Sequence, residues 1–316
     1  MSPPSISVCI LSYNYGRYLR QAIDSALSQE TGRYALAEIV VIDDGSTDDS
    51  PEICASYRDR IRVVPRAHCG FPDTLTETIR QARSDWVALL DADDWFTPDK
   101  LAVVAAAITP ASLLIQHWEH VVKADGTPLV DHPHPGGNTS TLTVRRDAAL
   151  DLLPVTNELF FHVLDHLGHG VKLTDPLTCY RVHDSNMTDR STPGTQHGYM
   201  HQVNTEVAAR LRDMANSPPT WARAEGLLRL SRHFAAAASG HTRDAAIQRG
   251  LRYPAIRAAS TGLFRALIAR RDIVNHLFGL RNAATLRPAF KTHLATDQEQ
   301  QHDNSGDAER RRVAPP

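Results

Sequence analysis

Apolar residues come in short unbroken runs, separated by polar turns and by helical repeats. Residues 7–11 (SVCIL) form the first run and pass into Ser12-Tyr13-Asn14-Tyr15-Gly16. Over 18–29 the positions Leu19, Ala22, Ile23, Ala26 and Leu27 recur at the spacing of one helix face. Runs at 37–42 (AEIVVI), 61–64 and 86–90 (WVALL) predict three more strands. Segments 48–57, 74–83 and 98–108 read as helices, with Pro51 tolerated in a first turn. Strands alternating with helices of about ten residues predict βαβ units. Continuous apolar runs, rather than alternating ones, predict parallel strands buried on both faces. The fold class is therefore α/β, with a Rossmann-like, mainly parallel sheet and flanking helices.

Beyond residue 110 the pattern changes. Short strands at 113–117 and 141–144 surround a Gly136-Gly137-Asn138 loop, and a helix is expected over about 158–167. From Gln196 the spacing is helical to about Gly279, with breaks near Ser217-Pro218-Pro219, Gly240 and Pro254. The last stretch is polar and ends in prolines, which predicts disorder. The expected organisation is an α/β domain over 1–190, a helical appendage over 191–290 and a disordered tail over 291–316.

Composition narrows the class. With 316 residues, 42% of them hydrophobic, the chain can bury a large core. A formal net charge of −2 gives no basic field for nucleic acid. No apolar run approaches the roughly 18 residues of a membrane span, and no signal peptide is evident at the start. Cys9, Cys54, Cys69 and Cys179 are scattered with no CxxC pair, which fits a reducing cytoplasm. Residues 241–290 carry nine arginines against two aspartates, interleaved with apolar positions. Two readings stay open: a basic surface for anionic lipid or a lipid-linked acceptor, or helices packing on the α/β domain or on a second copy.

Ligands in such sheets sit beyond the carboxyl ends of the strands, so the polar clusters after strands one, two and four should share one crevice. Asp91-Ala92-Asp93-Asp94 offers hard oxygen donors suited to Mg²⁺ or Mn²⁺. Its alternative is a solvated turn or helix cap; the apolar strand before it and Trp95 after it favour the cation. Asp43-Asp44-Gly45-Ser46-Thr47-Asp48 can accept hydrogen bonds from a base or a ribose, or serve as turn and cap. Ser12-Tyr13-Asn14 places an aromatic where it can stack on a base.

Taken together, SVCILSYNYGRYLRQAIDSALSQ, EIVVIDDGSTDDS, DWVALLDADDW and, later, DPLTCYRVHDSN resemble the family 2 glycosyltransferases, sugar-nucleotide-dependent enzymes of the GT-A fold. The resemblance covers roughly residues 5 to 190. It implies that Ser12 and Tyr13 contact the nucleotide, with Tyr13 stacked on the base and Asp43 hydrogen-bonded to it. Asp91 would touch ribose or the phosphate side. Asp93 would hold a Mn²⁺ or Mg²⁺ ion that bridges the diphosphate, with His183 as a second metal or phosphate contact. Arg181 is open to two roles, a phosphate clamp or a structural ion pair.

The implied reaction is inverting transfer from a nucleotide-diphosphate sugar, UDP favoured, to an acceptor hydroxyl. The acceptor would be a glycan, a lipid-linked group or a small molecule, in cell-envelope polysaccharide or secondary-metabolite synthesis. The expected location is cytoplasmic, with peripheral contact at the inner membrane face as an option. Inversion needs a general base. The family's acidic position falls nearest Asn157, which cannot serve near neutral pH, with Glu158 adjacent. Asn157 keeps open the alternative of a non-catalytic sugar-nucleotide or carbohydrate binder. Leu75-Thr76 and Thr78 stand where the family often has Arg-Asn and Gly, with Arg66 or Arg80 as compensating cations. His162, His166 and His169 recur at helical spacing, as a zinc site or, preferably, a helix face.

Overall fold

The computed structural model describes residues 3–184, 186 and 193–248. In the N-terminal half, β1 (Ser5–Ser12), β2 (Ala35–Asp43), β3 (Arg62–Pro65) and β4 (Trp86–Asp91) are all parallel, in the order β3-β2-β1-β4. They alternate with α1 (Gly16–Leu27), α2 (Ser50–Tyr57) and α3 (Phe71–Gln81). The helical and strand periods of the sequence predicted each of these to within a few residues.

The sheet continues past β4 with mixed polarity. After β5 (Trp95–Phe96) and α4 (Lys100–Ala107) come β6 (Leu114–Lys123), β7 (His134–Pro135) and β8 (Leu142–Arg145), then α5 (Arg146–Leu152), α6 (Leu159–His166) and β9 (Gly170–Val182). The order runs on through β8, β6, β9 and β5, with β8 antiparallel to β4 and β6, and β9 parallel to β6. The C-terminal half of β9 lies antiparallel to β5, which directly follows the acidic tetrad. That pairing carries Arg181 and His183 back onto residues 91–94.

Alternate residues of each central strand enter different cores, as the two-residue strand period requires. Val8, Ile10, Val41 and Leu90 pack with α1, α2 and α4 on one face. Cys9, Leu11, Ile42 and Leu89 pack with α3, α5 and α6 on the other. Two further helices, α7 (Pro193–Met214) and α8 (Ala224–Gln248), join that second core through Met200, Val207, Leu211, Leu227 and Phe234. The predicted break at Ser217-Pro218-Pro219 separates them. The predicted break at Gly240 does not occur: it lies inside α8, where the roughly 1 kcal/mol helix penalty of a glycine is absorbed by a long packed helix. The basic segment of 241–290 beyond residue 248, and the tail, lie outside the described residues. Among the described residues no helix is long and apolar enough to cross a membrane.

Candidate active site

The register brings the strand ends together. Ser12 is paired with Asp43, and Leu11 with Asp91. The loops above are cross-tied: Asn14 Oδ1 accepts from the Thr47 amide at 2.7 Å, Ser46 Oγ accepts from the Asn14 amide at 2.9 Å, and Asp48 Oδ2 accepts from the Gly16 amide at 2.8 Å. Asn14 takes a positive φ of 56° to make this turn. Gly45, at φ +77°, lies so close to the His68 backbone that a Cβ would come within 2.8 Å of its nitrogen.

The first two clusters are built differently. Asp43 is buried and accepts from the Ser46 amide at 3.2 Å. Asp44 is turned inward, accepting from the amides of Cys69 and Gly70 and lying 2.8 Å from His68 Nδ1. His68 in turn stacks on Tyr13, with ring centroids 3.9 Å apart and planes 16° from parallel. Tyr13 thus has one covered face and remains 40% exposed. Ser12 Oγ is buried with no hydrogen-bond partner, as is Arg66 Nη1 at the end of β3. Arg80 instead lies beside Glu77 on the surface of α3, while Leu75, Thr76 and Thr78 are buried; Thr76 bonds the backbone of Val155. Of the two compensating cations expected here, only Arg66 sits at a strand end.

The acidic tetrad is the most crowded part. Burial, then the charges of Asp93 and Glu158, push the Asp91 carboxyl well above the usual carboxylate range, while a Thr139 hydrogen bond pulls the other way. Burial, then Asp93 and Asp91, raise Asp94 as well. Burial and the same acids raise the Tyr15 phenol. Asp93 Oδ2 lies 3.0 Å from His183 Nε2 and accepts from Asn186 Nδ2 at 3.2 Å. His183 is walled by the Tyr15 and Tyr18 rings at 5.6 and 4.9 Å. Carboxylate oxygens are donors that fit Mn²⁺ or Mg²⁺, and the mutual repulsion of Asp91 and Asp93 is what a cation would relieve. Among the described residues no three His, Cys, Asp or Glu side chains form a ready-made metal cage.

Arg181 is tied to the fold through its side chain. Its Nε, Nη1 and Nη2 donate to Asp93 O, Ala124 O and Gln21 Oε1, at 2.8, 2.6 and 2.5 Å. The guanidinium is sandwiched by the Tyr18 and Trp95 rings at 4.3 and 4.6 Å. It is buried and bonded to carbonyls through three of its five N–H groups.

Asn157 is also committed: its Oδ1 accepts from the Leu159 amide at 2.8 Å and its Nδ2 donates to the Tyr199 hydroxyl. Glu158 is half-buried and close enough to Asp91 and Tyr199 to raise both pKa values. His162, His166 and His169, in and after α6, do not form a zinc site. His162 Nε2 meets Gly137 O, and His169 Nε2 meets Trp221 O. His68, Thr139, Ser140 and Tyr199 carry no motif, and only the fold places them here.

A strand-end acidic crevice on a curled α/β sheet defines a GT-A-type protein. Residues 7–132 match the family described as Glycosyl transferase family 2, and this part of the chain is similar to that family. An uncharacterized glycosyltransferase of Nostoc sp. is 27% identical over 214 residues, 57% of this chain and 66% of its own. One from Rickettsia felis is 36% identical over 195 residues, 61% of this chain and 30% of its own. The chain thus spans less than two thirds of the relatives it matches. The fold is shared with residues 1–349 of TarS from S. aureus, solved in complex with UDP-GlcNAc (TM-score 0.51, 16% identity, covering 79% of this chain and 93% of that one).

Proposed function

We propose that this chain is an inverting glycosyltransferase that moves a sugar from a nucleotide-diphosphate donor, a UDP-sugar by preference, to an acceptor hydroxyl. The observation that carries the reading is the strand register that sets Asp43 and Asp91 at neighbouring strand ends, with Glu158 close enough to Asp91 to raise its pKa. The UDP-GlcNAc complex of the fold neighbour supports UDP over dTDP or GDP.

In this reading Asp43, Ser12 and the open face of Tyr13 hold the nucleoside. The unpartnered Ser12 Oγ and Arg66 Nη1 are groups that a ligand would satisfy. Asp93, with His183, would hold Mn²⁺ or Mg²⁺, which supplies charge neutralisation of the diphosphate when bound, and Asp91 would touch the ribose or phosphate side. Glu158 takes the acceptor hydroxyl proton as that oxygen bonds to the anomeric carbon and the bond to the diphosphate breaks. Asn157 braces Glu158 and the start of α6 rather than moving a proton. That bracing, with an acid beside it, favours catalysis over a purely binding role. Tyr199 and the 134–141 loop would face the acceptor: a glycan, a lipid-linked group or a small molecule. Reaction in the cytoplasm or at its membrane face, and membrane or dimer contact through the basic C-terminal segment, belong to the same proposal.

The test is calorimetric titration with UDP, dTDP and GDP, each with and without Mn²⁺. Metal-dependent binding of one nucleotide, absent in Asp93→Ala, is the expected result. No binding of any nucleotide overturns the donor site.

A further inference from the structure

Directly behind the acidic tetrad lies a buried polar knot. Its centre is Ser140, in the 3-10 turn Thr139–Thr141 between β7 and β8. The Ser140 hydroxyl donates to Asp94 Oδ2 at 2.6 Å and accepts from the Asp91 amide at 3.0 Å. Its carbonyl accepts from Lys100 Nζ at 2.8 Å and from Thr178 Oγ1 at 2.9 Å. Ser140, Lys100 and Thr178 are fully buried, and Asp94 nearly so. One serine therefore joins β4, α4, β9 and the acidic turn.

Asp94 extends the knot. Its other oxygen, Oδ1, accepts from the Arg181 amide at 2.8 Å, and its own amide donates to Asp91 O at 3.1 Å. Lys100, whose Nζ lies 3.3 Å above the Phe96 ring centroid, fixes the Ser140 carbonyl from the far side. Both hydrogen-bonding directions of the Ser140 hydroxyl are thus spent on the turn that presents Asp91 and Asp93. An interior alternative would be an apolar filler. A buried polar network instead favours one geometry, because displacement leaves buried groups unpaired.

We propose that Ser140 is a positioning residue for the donor site: through Asp94 and the Asp91 amide it sets the separation and aim of the Asp91 and Asp93 carboxylates. The proposal rests on the donor-site reading above. It assigns no contact with substrate to Ser140, Asp94 or Lys100. Such a role costs the enzyme little when the turn is slack and much when a ligand must be gripped by both acids at once.

The experiment is a double-mutant cycle on the full chain, read by Mn²⁺-dependent UDP affinity and, separately, by melting temperature. Ser140→Ala and Asp94→Asn should each weaken Mn²⁺-dependent UDP binding about ten- to hundredfold, the range for losing a hydrogen bond to a charged group. The double variant should be no weaker than the worse single one. Thr178→Val removes a bond to the same serine without touching the acids. It should lower the melting temperature yet leave UDP affinity within about threefold. Should Ser140→Ala fail to fold, the contrast between Asp94→Asn and Thr178→Val decides the matter. Unchanged affinity in Asp94→Asn, additive losses, or an equal loss in Thr178→Val would overturn the proposal while leaving the donor site standing. A wild-type chain that binds no nucleotide would overturn the donor-site reading and this proposal with it.

Discussion

The hydroxyl of Tyr199, on α7, accepts a hydrogen bond from the side-chain amide of Asn157, the residue before Glu158. A helix nearly forty residues further along the chain therefore touches the turn that aims the proposed base. Thr156 strengthens the same junction by donating to Glu206 Oε2 at 2.5 Å. Tyr199→Phe should lower turnover about threefold to tenfold and leave UDP affinity unchanged, measured as UDP release from the donor identified by titration. A change in UDP affinity instead would place Tyr199 on the donor side.

Glu158→Gln keeps the shape of the side chain and removes the proton acceptor. The expected loss in turnover is about 10²- to 10⁴-fold, with donor affinity within about threefold of wild type. Asn157→Ala, by contrast, should cost a smaller factor and some stability, because it frees the Leu159 amide. Wild-type rates in Glu158→Gln would remove it from the mechanism.

Gly45→Ala tests the loop that carries Asp43. A side chain at φ +77° is strained by about 1–2 kcal/mol, before the contact with the His68 backbone is counted. The melting temperature should fall, and UDP affinity with it, since Asp44, His68 and Tyr13 hang from this turn. An unchanged melting curve would contradict the tight packing described.

Acid sensitivity follows from the buried histidines. Burial pushes His166 down to about 4 from an ordinary 6.5, against a smaller pull from Asp165. The unfolded chain then binds more protons than the folded one between those values. The stability contribution is complete above about pH 6.5 and is lost as pH falls through about 4. Chemical denaturation should show stability declining over that window, and His166→Gln should flatten the decline. A variant as acid-sensitive as wild type would assign the effect to other groups.

The first half of the sheet could be read from the sequence because its strands are short apolar runs, three of which (β1, β2 and β4) end in polar clusters. Asp43, Asp91, Asp93 and Ser12 lie at consecutive strand ends for that reason. β9 was not foreseen as a strand: it holds Asp175 and Pro176, and its burial alternates over a partly exposed length. β5 and β7, of two residues each, have no period to detect. The middle of the site escaped for a related cause. Thr139 and Ser140 are ordinary polar residues in a short turn, and Lys100 reads as an exposed helix start although it is fully buried. Their partners are tens of residues away, so nothing local in the sequence marks them. The surroundings of Arg181 escaped in the same way, since its neighbours Gln21, Ala124 and Tyr18 come together only in the fold.

The shared apolar contacts of Met200, Val207, Leu211 and Phe234 with Phe160, Phe161 and Leu152 have an evolutionary corollary. An acceptor module joined by a linker can be shuffled between enzymes at little cost. A helical hairpin whose inner face is moulded to the sheet's own interior cannot: a foreign hairpin would arrive with mismatched volumes and leave voids. If Tyr199 faces the acceptor as proposed, acceptor preference is expected to drift by single replacements around it, while the inward side of α7 stays locked to the rest of the protein.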